Sequence, residues 1–186
     1  MKVNNRGFLK IFFVIILVIA AVVYGVIFGQ RYIENEKDKP VISDFDDCLS
    51  AGLAVMESYP RKCQAEDGSM FTEDIGNALA KEDLIRLDLP RPNQGISNPL
   101  VLEGQARGYW FFEGDFPVVV LYKGQVIAEG IATAQSDWMT EDFVEFKAEL
   151  EYQGPTEGKG TLVLKKDNPS GLPANADELT VPIIFE

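Results

Sequence analysis

Val144-Glu145-Phe146-Lys147-Ala148-Glu149-Leu150-Glu151-Tyr152 alternates apolar and charged residues without a fault. Successive side chains of a strand point to opposite faces, so this stretch predicts a strand with one side in a core and the other in water. Working outward, Phe116 to Tyr122 is a continuous apolar run ending at Lys123-Gly124, the pattern of a central strand covered on both faces, with Gln125 to Thr133 as its hairpin partner. Leu100, Leu102, Gly104 and Ala106 share one face.

Further strands flank these. Ile85, Leu87 and Leu89 alternate with Arg86 and Asp88 and stop at Pro90 and a Pro92 to Gly95 turn. Leu162 and Leu164 resume an inward face, and Leu179, Val181, Ile183 and Phe185 form the last strand. Pro182 has no ladder N–H, which predicts an edge or a bulge there. The count is seven, and the expected fold class is all-β, a seven-stranded immunoglobulin-like β-sandwich over residues 84–186.

Composition excludes several chemistries. The chain has 186 residues and no histidine, which removes His-based triads, His general bases and nearly all zinc and copper sites. From residue 31 onward 14 basic side chains face 29 acidic ones, a net −15. Such a body repels nucleic acid and anionic lipid, so no nucleic-acid partner is expected.

Lys2, Arg6 and Lys10 precede an uncharged run from Ile11 to Phe28. With Phe8 and Leu9 it reaches about 20 residues, enough at 1.5 Å per residue to cross a bilayer core of roughly 30 Å. No sharp small-x-small site closes the run, so an uncleaved anchor is expected over residues 1–30, with the membrane engaged through residues 8–28. Three basic residues stand close on each side; the position at the chain start favours a single pass with the N-terminus cytoplasmic and the body extracytoplasmic. Residues 31–47, polar and ending the helix at Pro40, read as a spacer.

Cys48 and Cys63 are the only cysteines. Outside the membrane, such a pair is most simply a disulfide, closing a small unit over residues 48–83. A redox pair is disfavoured, because there is no C-x-x-C and little positive charge nearby. Asp44, Asp46 and Asp47 lack the Gly and terminal Glu of a calcium loop and read as solvated charge. The pattern Cys48, Ala51-Gly52, Met56-Glu57-Ser58-Tyr59-Pro60, Cys63, Asp67-Gly68, Phe71 resembles a short Cys-loop motif of other secreted bacterial proteins.

Alternating strand directions place every second connection at one end of the sandwich. Arg107 to Gly114, Gln135 to Asp142 and Asp167 to Glu178 are therefore expected to cluster, with the first strand, and hence the Cys-loop unit, arriving beside them. The candidate binding residues of these loops are Trp110, Glu113, Asp137, Trp138, Glu141, Asp142, Asp167, Asn168 and Asp177. Asp137, Glu141 and Asp177 are the one metal candidate, for calcium. Trp110 and Phe112, two apart, are expected to point together into the core, with Trp138 plugging one end. No cofactor is implied.

Asn98-Pro99-Leu100 with Gly104, Trp110-Phe111-Phe112-Glu113-Gly114 before an apolar strand, Asp137-Trp138-Met139-Thr140 with Phe143 and Phe146, and Asn168-Pro169-Ser170-Gly171 follow in order. At these residues the chain resembles the immunoglobulin-like domain of bacterial spore germination and sporulation proteins, the type often found beside a GerMN domain. The resemblance covers about residues 84–186 and implies an extracytoplasmic β-sandwich that binds at the cell surface, with no catalytic residues. The expected function is thus a membrane-anchored, non-catalytic binding or adhesion module of the cell envelope with an unidentified envelope or protein partner. The alternatives are a structural subunit of an envelope assembly, or a carboxylate-based extracellular hydrolase drawing on Glu113, Asp115, Asp137, Glu141 and Asp142.

Overall fold

A computed structural model describes residues 15–30 and 41–186 of the chain. Residues 15–30 form a helix, α1, exposed along its whole length. Among the described residues no helix is long and apolar enough to cross a membrane. The anchor expected over 8–28 falls partly, at 8–14, outside the described residues, as does the spacer over 31–40.

The small unit begins earlier than its first cysteine. Asp44 caps a helix, α2 (Phe45–Ser50), by accepting the Asp47 N–H on Oδ1 at 2.8 Å, which satisfies a helix donor that would otherwise lack a partner. Phe45 packs with Cys48 and Cys63 in a core of its own, which Ile42, Leu53, Val55 and Phe71 complete. Residues 42–47 therefore belong to this unit and not to the spacer. Three short antiparallel strands follow, β1 (Val55–Met56), β2 (Lys62–Gln64) and β3 (Met70–Thr72), and the Cys48–Cys63 disulfide ties α2 to β2.

After a short helix, α3 (Ala78–Lys81), come β4 (Ile85–Leu89), β5 (Gly95–Ile96), β6 (Leu100–Arg107), β7 (Asp115–Tyr122), β8 (Gln125–Ala134), β9 (Phe143–Leu150), β10 (Gly158–Lys165) and β11 (Glu178–Phe185). All seven expected strands are present. The eighth, β5, starts at the last residue of the predicted turn and pairs parallel with the end of β11. Instead of two separate sheets there is one curled sheet in the order β4-β6-β9-β8-β7-β10-β11-β5.

The curl arises at β8. This strand pairs with β7 along its whole length but with β9 only at Thr133 and Ala134. Gly130 stands where the two part, and any Cβ there would collide with the Leu150 side chain, so a glycine lets the layers approach at the corner. Between the layers Leu102, Phe146 and Leu150 meet Phe116, Leu162, Ile183 and Phe185, all at most 3% exposed. Each such side chain contributes about 1.5–3 kcal/mol by leaving water. Pro182 sits on β11, whose outer side carries only the two-residue β5, as its missing N–H requires.

Candidate functional site: the loop end of the sandwich

Strand register fixes which connections share an end. Arg107 lies opposite Phe143, Asp115 opposite Thr133, Lys165 opposite Glu178, and Ile85 opposite Ala106. The loops 108–114, 135–142 and 166–177 therefore emerge together, as the alternation of strand direction predicts.

They are bonded to one another as well. Gly108 N–H donates to the Asp142 carbonyl at 3.1 Å, and Asp167 N–H donates to the Trp110 carbonyl at 3.0 Å. Arg107 clamps the group, with Nη1 on the Glu141 carbonyl at 3.3 Å, Nε on the Asp83 carbonyl at 2.9 Å, and its guanidinium over the Phe143 ring at 4.1 Å.

Each loop is held from within. Phe112 and Asp115 exchange backbone hydrogen bonds at 3.0 and 3.1 Å around Glu113 and Gly114, at φ 53° and 87°. Two positive φ values in a two-residue turn are the type I′ geometry, and they put the Glu113 carboxylate at the tip. Asp137 Oδ1 accepts the Met139 N–H at 3.0 Å, and Thr140 Oγ1 accepts the Asp142 N–H at 3.1 Å. In the third loop Asn168 Nδ2 donates to the Leu172 carbonyl at 2.9 Å, and Ser170 Oγ to Asn168 Oδ1 at 2.5 Å.

The side chains sort differently from the expectation. Trp110 is fully buried and Phe111 nearly so, whereas Phe112 is 43% exposed. Residues Gly108–Trp110 form a 3₁₀ turn, so the two-residue period that would pair Trp110 with Phe112 does not apply, and Phe111 takes the inner place. Trp110 thus serves the core and cannot touch a ligand. Trp138 is half-buried against that core, as expected of a plug. Glu113, Asp137, Glu141 and Asp142 are exposed, and Asp167, Asn168 and Asp177 are half-buried.

The three calcium candidates do not come together. Asp177 Oδ1 is taken by Lys81 Nζ at 2.5 Å and by the Glu178 N–H at 2.8 Å, and Asp137 is committed to its own turn. Among the described residues no three acidic side chains converge to hold a metal ion.

Four apolar side chains that the sequence reading missed define the surface of this end: Tyr109, Phe112, Met139 and Leu172, at 49%, 43%, 76% and 59% exposure. They come from all three loops. Lys166 Nζ lies 5.8 Å from the Tyr109 ring centre. The signal that could have found them is the glycine at 108, which starts a turn and resets the alternation.

The Cys-loop unit does not arrive at these loops. Only α3 and residues 83–84 reach them, through Lys81 with Asp177 and Arg107 with Asp83 and Leu84. The unit itself lies along the β11 edge. Glu73 receives the Asn93 amide at 3.1 Å, and Asp46 pairs with Lys159, where β10 begins at the opposite end. The linker runs antiparallel to β11 and carries the unit away from the loops, so they remain free of it.

Residues 84–172 match the family model of Gmad2, the immunoglobulin-like domain of bacterial spore germination. This segment is a Gmad2 domain. The matched region stops before β11, which pairs with β10 from Glu178 to Phe185 and completes the same sheet. Gmad2 is not known as a catalytic family. No curated protein and no solved structure matches the chain.

Proposed function

We propose that the chain is a non-catalytic binding module of the bacterial cell envelope, anchored in the membrane through residues 8–28, which contacts its partner with the loop end of its Gmad2 domain. One observation carries this reading. Three hydrogen-bonded loops expose Tyr109, Phe112, Met139 and Leu172 on a single end, rimmed by Glu113, Asp137, Glu141 and Asp142. Loops fixed at the end of a rigid sandwich are the usual place for recognition, and exposed apolar side chains gathered with a polar rim mark contact surfaces. The anchor reading is supported by the uncharged run from Ile11 to Phe28 and by the exposure of every residue from 15 to 30. An apolar helix exposed along its described length suits a lipid surround.

The partner reading is tested by placing a photo-crosslinking residue at Met139 and another at Glu129, on β8 away from the loops, in the full chain on intact cells. Capture of a discrete species from Met139 alone supports it. Equal capture from both positions, or none from Met139, removes the loop end. Mass analysis of the protein from membranes tests the anchor, and a mature start between Ala21 and Gln30 would sink that part.

A further inference from the structure

The three loops at the end of the sandwich carry six acidic residues and one basic residue, Lys166, whereas the chain from residue 31 onward carries 29 acidic and 14 basic ones. This end is therefore more acidic than the body that bears it. Lys166 stands to one side, with Nζ 5.8 Å from the Tyr109 ring centre.

Elsewhere carboxylates find cations within the chain. Glu73 pairs with Arg61 at 2.6 Å, Glu103 with Lys147 at 2.7 Å and Asp177 with Lys81 at 2.5 Å, and Asp46 pairs with Lys159. On the rim the pattern stops. Among the described residues the side chains of Glu113, Glu141 and Asp142 have no partner. The loops hold Glu141 and Asp142 by their backbones, through carbonyls that accept from Arg107 and Gly108. Both carboxylates are thus positioned without being used.

The rim shares its end with the exposed Tyr109, Phe112, Met139 and Leu172. An apolar centre inside a polar rim is the anatomy of a contact surface, and here the charges choose the occupant. A second copy of the chain would bring the same excess of acid, and an anionic bilayer would bring phosphates, so both are repelled. The outer side of β8 offers a contrast. Val126 and Ile131 are exposed there to 54% and 60%, but that strand carries a single acid, Glu129.

Resting on the reading that the loop end makes the contact, we propose that its partner there is a protein segment that is both apolar and basic. Its apolar side chains cover Phe112, Met139 and their neighbours, and its lysine or arginine side chains meet Glu113, Glu141 and Asp142. Neither property suffices alone. The apolar groups supply area removed from water, and the carboxylates select the sign of the partner and speed the encounter.

The probes are the amidated peptide Leu-Lys-Leu-Lys-Leu-Lys-Leu, its counterpart with Glu in place of Lys, and its counterpart with Ser in place of Leu, each biotinylated at the N-terminus. They are added to the full chain in phosphatidylcholine nanodiscs, with a photo-crosslinking residue at Met139 or, as control, at Glu129. The Leu-Lys peptide should label the Met139 position about ten-fold more readily than either counterpart, and the Glu129 position no more readily than they do. Glu113→Gln, Glu141→Gln and Asp142→Asn together should weaken labelling at Met139 about ten-fold, the scale of three exposed ion pairs. Salt at about 1 M, where charges are screened beyond about 3 Å, should do the same. The triple variant removes no side-chain contact within the chain, so its fold is retained. Equal labelling by either counterpart, indifference to the triple variant or to salt, or labelling of lipid or of a second chain in place of peptide overturns the proposal. Those results leave the loop-end reading in place where Met139 still captures a species on intact cells; loss of that capture removes both.

Discussion

Asn77 and Thr180 form a two-way pair across 103 residues of chain: the Asn77 N–H donates to the Thr180 carbonyl at 3.1 Å while Asn77 Oδ1 accepts the Thr180 N–H at 2.7 Å. Asn77 Nδ2 also donates to the Glu178 carbonyl at 2.9 Å. One residue of the linker thus closes the upper part of the β11 edge, so the sandwich extends upstream of residue 82. A fragment of residues 74–186 is expected to melt well above one of residues 82–186. Asn77→Ala in the full chain should cost about 0.5–1.5 kcal/mol, the net scale of a part-buried hydrogen bond. Equal melting of the two fragments would return the boundary to residue 84.

The disulfide acts on the other core. Cys48 and Cys63 pack with Phe45, and neither belongs to the cluster that fills the sandwich. Closing a loop of 15 residues restricts the unfolded chain by about 3 kcal/mol. Cys48→Ser with Cys63→Ser should therefore unfold the small unit while the sandwich keeps its transition. Trp110, deep in the sandwich, reports one event by fluorescence, and exchange of the β2 amides reports the other. A common shift of both would mean that the two cores melt as one.

Glu73 gives the contact between unit and sandwich a pH dependence. The Arg61 guanidinium holds its carboxyl below the ordinary value of 4.5, burial works against this, and the Asn93 amide and the Arg61 N–H add to the lowering. A lowered folded value means that the contribution is fully present above the unfolded value and is lost as pH falls from about 4.5 through the folded one. Urea melts of the wild type should lose stability over that window more steeply than those of Glu73→Gln. The variant should itself be about 1–3 kcal/mol less stable at neutral pH. Parallel curves for the two proteins would dismiss the linkage.

Alternation made most of the fold legible. In β6 and β9 one face is core and the other is water, so Leu100 to Ala106 and Val144 to Leu150 declare themselves, and the sharing of one end by three loops follows from strand direction. What was not legible depends on shorter or longer ranges than a strand period. β5 is two residues in parallel register, too short to carry a pattern. The 3₁₀ turn at Gly108 swaps Phe111 for Phe112. The curl of the sheet depends on where β8 leaves β9, at Thr133 and Ala134, which no local pattern encodes.

Gly108 offers the sharpest test of the loop end. Its N–H donates to the Asp142 carbonyl, and a Cβ at this position would strike the Thr140 and Trp138 carbonyls. Those are backbone atoms and cannot rotate away, so Gly108→Ala must push loop 135–142 off loop 108–114. Overpacking of this kind costs about 1–3 kcal/mol. The half-buried Trp138 should become more solvated, with red-shifted emission, while the core around Phe146 persists. Phe112→Ser is the complement. It removes an exposed ring, should change stability by no more than about 0.5 kcal/mol, and leaves the loop frame intact. Both variants are expected to lose partner capture at Met139, one through geometry and the other through chemistry. Capture at the wild-type level by Gly108→Ala, with the emission shift present, would show that partner recognition does not depend on how these loops are joined.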